Sequence, residues 1–211
     1  MKMTVAQAMV KCLEQEQIQT VFGYPGAAIC PFYDALLNSP IEHLLIRQEQ
    51  MGGHCANGLA RITGRPQVCI ATSGPGALNL ITGIATAYMD SIPLVCITGQ
   101  VNSDQLGKDV FQEADITGAV EPFSKYSYIV KDGSQIARIF KEAFYLAGTG
   151  RPGPVVIDVP TDIQNQTIDF EYPDTISMRS YKPTVVGNAR QITRAAAALK
   201  KSKRPLIVAG G

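Results

Sequence analysis

Leu44-Leu45-Ile46-Arg47-Gln48-Glu49-Gln50-Met51-Gly52-Gly53 reads as a short apolar strand that ends in a polar switch and hands the chain to a glycine-rich helix. Such a run predicts a buried strand whose C-terminal end opens on a crevice, where wound α/β sheets bind ligands. The pattern returns at Ile70-Ala71-Thr72-Ser73-Gly74-Pro75-Gly76-Ala77-Leu78-Asn79, again strand, tight glycine turn and helix start. Glu49 is the carboxylate delivered to the mouth of the first helix. Taken alone it reads first as a first-turn acid complementing the helix dipole, and only the rest of the sequence changes that reading.

Working outward, Thr4 is a plausible N-cap for a helix to about Glu16, because Val5, Ala8, Met9, Cys12 and Leu13 recur at helical spacing. Strands are expected at 20–22, 43–46, 68–71, 93–98, 126–130 and 153–160. Helices are expected through Tyr33 to Leu37, from Glu49 to about Ile62, from Ala77 toward Met89 and from Gln135 to Ala147. This alternation describes an α/β fold, a doubly wound and mainly parallel six-stranded sheet with helices on both faces. Residues 101–118 lack periodicity and read as a long polar loop at the strands' C-terminal edge. Gly52, Gly53, Ala56, Gly58 and Ala60 cost the 49–62 helix propensity, about 1 kcal/mol for each glycine relative to alanine. A helix so poor in bulk implies close approach by another backbone, a subunit or a flat ligand. Residues 1–165 form one domain in this reading and 166–187 a linker. Residues 188–211, a helix from Asn188 and a strand with a glycine turn at 205–211, start a second α/β domain.

Bulk properties narrow the function. Charged residues make up 18% of the 211 and the net charge is +1, so neither disorder nor attraction to nucleic acid is indicated. No apolar run approaches the roughly 18 residues of a membrane span. Gln7 and Lys11 interrupt any signal-peptide core, so the expected location is the cytoplasm. Cys12, Cys30, Cys55, Cys69 and Cys96 are odd in number and lack C-x-x-C spacing, which makes reduced thiols the expectation. With only His43 and His54 present, no metal site built by this chain is expected.

Three common chemistries fail on the motifs. Ala71 stands where a nucleophile elbow around Ser73 needs glycine, Gly74-x-Gly76 lacks the third glycine of a dinucleotide fingerprint, and no G-x-x-x-x-G-K-S/T is present. What remains is a strand-end carboxylate, a Gly-Pro-Gly turn with Asn79 beside it, and an amide-bearing loop at Gln112.

Phe22-Gly23-Tyr24-Pro25-Gly26, Arg47 with Glu49-Gln50, Ala60-Arg61 with Thr63-Gly64, and Ala71 to Gly76 with Asn79-Leu80 carry a resemblance. So do Thr82-Gly83, Asp90-Ser91-Ile92-Pro93, Ile97 to Gln100, Phe111-Gln112-Glu113 and Arg151 to Val155. In this order the motifs resemble the thiamine-diphosphate-dependent acetohydroxyacid synthases (acetolactate synthases), in their catalytic large subunit, from end to end of the chain. The resemblance implies that Glu49 hydrogen-bonds N1′ of the cofactor's aminopyrimidine, favouring the tautomer that generates the reactive carbon. It implies that Tyr24, Pro25 and Gly26 form the pyrimidine loop, with Pro75 and Asn79 as further contacts. Phe111 and Gln112 become the loop pair closing over the reacting centre, and Arg151 a flavin contact. Mg²⁺ and FAD belong to the intact enzyme. The Mg²⁺ ligands and diphosphate anchor lie outside this chain, whose only Asp-Gly is Asp132-Gly133.

The substrates implied are 2-oxo acids, pyruvate first, in branched-chain amino acid biosynthesis. The partners implied are a second copy, as homodimer or tetramer with the active site between subunits, and a regulatory subunit. The chain alone is expected to be inactive. Three positions depart from the pattern: Gln48 for histidine, Ala27 for glycine, and Thr161 for a lysine that helps shape the substrate site. The alternatives are a fragment of pyruvate oxidase or another thiamine-diphosphate decarboxylase, and a non-catalytic α/β nucleotide-binding or oligomerisation module with Gly74-Pro75-Gly76 as its phosphate turn.

Overall fold

A computed structural model of the chain describes residues 1–208. Two compact units divide it, Met1–Ser177 and Met178–Gly211. The first opens with β1 (Lys2–Thr4), α1 (Val5–Gln15), β2 (Thr20–Gly23), α2 (Cys30–Leu36), β3 (Glu42–Leu45) and α3 (Glu49–Thr63). It continues through β4 (Gln67–Ala71), α4 (Pro75–Asn79), α5 (Ile81–Met89), β5 (Leu94–Gln100) and α6 (Ile116–Val120). It closes with β6 (Tyr126–Ile129), α7 (Ile136–Gly148), β7 (Pro154–Pro160), α8 (Thr161–Gln164) and β8 (Thr167–Asp169). The second unit holds α9 (Ala189–Lys201), whose Asn188 side chain accepts from the amides of Arg190 and Gln191. Residues 205–208 form no strand, and the remainder of the strand and glycine turn expected there lies outside the described residues.

The six expected strands form one sheet in the order β3-β2-β4-β5-β7-β6, every pair parallel. Right-handed crossovers translate that order into layers. β2 to β3 and β6 to β7 step one way and carry α2 and α7 to one face, where α1 joins them; the other steps carry α3, α5 and α6 to the opposite face. Phe32, Phe140, Met9 and Leu13 are fully buried in the first layer. Each such side chain contributes about 1.5–3 kcal/mol. The chain reverses its direction of winding between β2 and β4, so a crevice opens at their C-terminal ends.

Local chemistry explains the helix limits. Thr4 Oγ1 accepts from Gln7 N at 3.2 Å while Gln7 Oε1 accepts from Thr4 N at 2.9 Å, a capping box that starts α1. Gly64, at φ +66°, ends α3 in the left-handed conformation. The helix expected from 77 starts at Pro75 and is interrupted at Leu80, whose amide bonds the Ala77 carbonyl.

Two expectations change. Leu44-Leu45 is not buried: β3 pairs only with β2 at the sheet's edge, leaving Leu44 42% and Leu45 59% exposed, and only Ile46, past the strand's end, is buried. The stretch 166–187 also contains structure, because β8 pairs antiparallel with β1 through Lys2–Asp169, Met3–Ile168 and Thr4–Thr167. Of the α3 glycines, Gly53 meets a backbone of the same chain, Gly52 faces the Ile46 side chain, and Gly58 meets nothing within 4 Å. A Cβ on Gly53 would lie 3.1 Å from Gly83 Cα in α5, and one on Gly83 would lie 2.9 Å from Gly53 Cα.

Candidate active site

Three chain segments leave the sheet around the β2/β4 crevice. After β2 comes Tyr24-Pro25-Gly26, after β3 comes Glu49 at the first turn of α3, and after β4 comes Thr72 to Asn79. The glycines let these segments touch. A Cβ on Gly26 would meet the Thr72 side chain at 2.5 Å, and one on Gly76 would meet Thr72 Cγ2 at 2.7 Å and Glu49 Oε1 at 3.3 Å. Glu49 Oε2 accepts from Asn79 Nδ2 at 2.9 Å. Among the described residues no arginine or lysine nitrogen lies within 4.0 Å of Glu49. This half-buried carboxyl is thus held by an amide through Oε2 and has no cationic partner among the described residues.

Thr72 is the residue the sequence reading missed. Its hydroxyl is buried and has no hydrogen-bond partner, and an unmade bond of that kind costs about 1–3 kcal/mol. The signal available in the sequence was a polar side chain just before the glycine turn, directly after a buried strand. An orphaned hydroxyl, a half-buried carboxyl and two glycines against a threonine suit a flat heterocycle carrying hydrogen-bonding ring atoms. Tyr24 and Pro25 are exposed beside them, as are Pro75 and Asn79.

Phe111 and Gln112 reach the same edge from the loop after β5. A Cβ on Gly74, at φ +58°, would lie 2.6 Å from the Gln112 carbonyl oxygen. Gln112 itself has φ +58°, a conformation unusual for a side-chain-bearing residue and frequent near functional sites. Phe111 is 87% exposed. The loop is held from within by Glu113, whose carboxylate accepts from the amides of Gly107 and, at 3.2 Å, Val110. The Gly107 amide first, and then the other loop amides, hold the Glu113 carboxyl below its usual range. The Gln112 backbone therefore packs directly on the Gly74 turn.

Arg151 is not brought to this cluster. It precedes β7, at the opposite edge of the sheet, where Nε donates to Ser91 Oγ at 2.9 Å and Nη2 to the Tyr88 carbonyl at 3.1 Å. Thr161 Oγ1 donates to the Gln100 carbonyl at 2.9 Å, and Gln164 Nε2 donates to the Ala28 carbonyl at 2.8 Å. The first bond ties the end of β7 to the end of β5, and the second ties α8 to the segment just after Pro25 and Gly26.

A second missed residue is Asp158 in β7, which is 1% exposed. Burial pushes its carboxyl up to about 7, against the opposing pull of bonds from Thr98 and Gln100.

The family profile described as "Thiamine pyrophosphate enzyme, N-terminal TPP binding domain" matches residues 3–119. Over 209 residues the chain is 49% identical to the acetolactate synthase isozyme 3 large subunit of Escherichia coli, covering 98% of this chain and 36% of that protein. It is 49% identical over 211 residues to the acetolactate synthase large subunit of Corynebacterium glutamicum, 100% of this chain and 34% of the relative. With its counterpart from Buchnera aphidicola of Schizaphis graminum it shares 52% over 209 residues, 98% of this chain and 37% of the relative. The chain thus spans about a third of the length of these curated relatives.

Proposed function

The chain belongs to the thiamine pyrophosphate enzymes, of which it carries the N-terminal TPP binding domain, and from that premise we propose that it forms the pyrimidine-side half of an acetolactate synthase active site. The observation that carries this reading is the Glu49 carboxyl at the β2/β4 crevice, with Oε1 turned toward Gly76 and Oε2 held by Asn79. When bound, thiamine diphosphate supplies a nucleophilic carbon and an electron sink for decarboxylating a 2-oxo acid. Glu49 would hold N1′ of the pyrimidine through a shared proton, with Asn79, which donates to its Oε2, fixing the orientation of the carboxyl. Gly26 and Gly76 let the Thr72 side chain sit between their segments; Thr72 would offer the ring a hydrogen bond, and Tyr24, Pro25 and Pro75 would border it. Phe111 and Gln112 cover the reacting side and exclude water.

For the whole protein we propose decarboxylation of pyruvate and transfer of the two-carbon unit to a second 2-oxo acid, serving branched-chain amino acid synthesis. The names of the relatives support this. Mg²⁺ ligands and the diphosphate anchor are assigned to segments beyond this chain, and FAD to the intact enzyme with Arg151 as its contact here. Assembly as a homodimer or tetramer, with a regulatory subunit, and a cytoplasmic location complete the proposal; no helix among the described residues is long and apolar enough to cross a membrane. Residues 1–165 act as the pyrimidine-binding domain and 188–211 as the start of the next. The test joins the chain to its natural C-terminal continuation and measures acetolactate formed from pyruvate, with Glu49→Ala and Glu49→Gln beside the parent. Unchanged turnover in Glu49→Ala overturns the assignment.

A further inference from the structure

The sheet has a second reversal, between β5 and β7, and a buried polar network occupies it. Thr98 Oγ1 donates to Asp158 Oδ1 at 2.6 Å, and Gln100 Nε2 donates to Asp158 Oδ2 at 2.9 Å. The same Gln100 nitrogen donates to the Ala114 carbonyl at 2.9 Å, while Gln100 Oε1 accepts from the Val101 amide at 2.9 Å. Ala114 lies two residues after Gln112, and its carbonyl also accepts from the Ile116 amide. One side-chain amide therefore links a buried carboxyl to the root of the Phe111–Gln112 loop.

We propose that Asp158 is a positioning residue for that loop, acting through Gln100, and that protonation of Asp158 releases the loop. An ionised carboxylate only accepts hydrogen bonds, so it obliges Gln100 to present its NH₂ side, which then reaches Ala114 as well. A protonated carboxyl donates, and Gln100 can turn its oxygen toward it, leaving the Ala114 carbonyl without that bond. The group is poised for this change because burial raises its affinity for the proton toward neutrality. Its surroundings contain little else that titrates. β5 offers Thr98 and Gln100, β6 places Ile129 in register with it, and α6 contributes Asp115 at its N-terminus, whose charge opposes ionisation. Arg138, Lys141 and Glu142 belong to α7 on the other face, and Asp162 of α8 is bonded to Ser103.

The inference rests on reading Phe111–Gln112 as the loop over the reacting centre, but its test needs neither cofactor nor substrate. Amide hydrogen exchange of residues 107–116 in the 211-residue chain, corrected for the intrinsic pH dependence of exchange, is followed from pH 5.5 to 8.5 (~0.5-unit steps) with far-UV circular dichroism as the folding control. Protection in the parent should rise roughly 2- to 10-fold across a midpoint near neutrality, the worth of one hydrogen bond. Asp158→Asn should abolish the transition. Thr98→Val removes a bond that favours the ionised form and should move the midpoint upward, which keeps the test decisive should Asp158→Asn fail to fold. A transition that persists in Asp158→Asn, or a midpoint unmoved in Thr98→Val, overturns the inference. Failure of the functional reading looks different: the loop responds, yet acetolactate production by the extended chain survives Glu49→Ala.

Discussion

Glu49 and Asp158 stand near the same edge of one sheet, yet Glu49 is half-buried with a single amide beside it, while Asp158 lies inside β7 beneath a hydroxyl and an amide. The difference comes from where each strand sits. β3 is at the sheet's edge and ends before Glu49, so the acid is presented to the crevice; β7 lies inside the sheet with α5 and α6 over one face and α7 over the other, so its side chains have no route to water. Two carboxylates can serve one active site in separate roles when their environments separate them so. In the roles proposed here, Glu49 meets a ligand and Asp158 holds a loop.

The largest expected effect separates these roles directly. In the extended enzyme Glu49→Ala should lower turnover by about 10²- to 10⁴-fold, the usual worth of a positioned acid or base. Urea denaturation should show little change in stability, because the side chain is only half-buried and has one bond to lose. A large loss of stability would mean that Glu49 is structural after all, and the contrast with Asp158 would disappear.

Asp158 should show the reverse, a stability effect with a definite sign in pH. Its carboxyl is held at about 7 in the folded chain and returns to the ordinary range near 4 on unfolding. The folded state therefore binds more protons between these values, so stability is highest below the window, falls as pH rises through it, and is level above about 7. The full change amounts to roughly 4 kcal/mol. The carboxyls of Asp115 and Asp132, held low by bonds from backbone amides, act below this window. Urea midpoints from pH 5 to 8 should decline in the parent and flatten in Asp158→Asn. A flat parent profile would show that the carboxyl ionises freely.

Most of this contrast was legible in the sequence on one side only. The six strands and the turns that carry Glu49 and Asn79 follow from apolar runs ending in turn residues, and the 101–118 loop from its lack of periodicity, whereas the site roles of Asn79, Phe111 and Gln112 came from the family resemblance. The exposure of Leu44 and Leu45 did not follow, because an apolar run does not record whether its strand is central or at an edge. The pairing of β1 with β8 rests on three residues each, too few for a periodic signal. Asp158 was hidden inside Val155-Val156-Ile157-Asp158-Val159, where the lone acid in an apolar strand was itself the available sign. Close backbone approach was expected of the α3 glycines as a group, and Gly53 alone shows it, against Gly83 of the same chain.

That approach provides a steric comparison of intermediate size. Gly83→Ala places a methyl 2.9 Å from Gly53 Cα, where neither helix backbone can yield easily. Overpacking should cost about 1–3 kcal/mol, reduced by alanine's better helix propensity of about 1 kcal/mol. Gly58→Ala on α3 meets nothing within 4 Å and should be neutral or stabilising by up to about 1 kcal/mol. Urea midpoints of the two variants test whether the close packing is confined to the Gly53–Gly83 crossing; equal effects would remove that distinction.

The smallest effect is the most discriminating, because it should have opposite signs in two measurements. Thr72→Val keeps the branched shape and deletes a hydroxyl that is buried without a partner. The free chain should gain about 1 kcal/mol, since an unmade hydrogen bond is removed from its interior. The extended enzyme should bind thiamine diphosphate more weakly, because the ring then loses a bond that only the bound state makes. Urea denaturation of the chain and isothermal calorimetry of the extended enzyme measure the two quantities separately. A destabilised chain would show that the hydroxyl is already satisfied without ligand, and unchanged binding would show that it does not face the pyrimidine. Only a gain in stability together with a loss in affinity fits a crevice whose polar groups are left unpaired for a ligand that completes them.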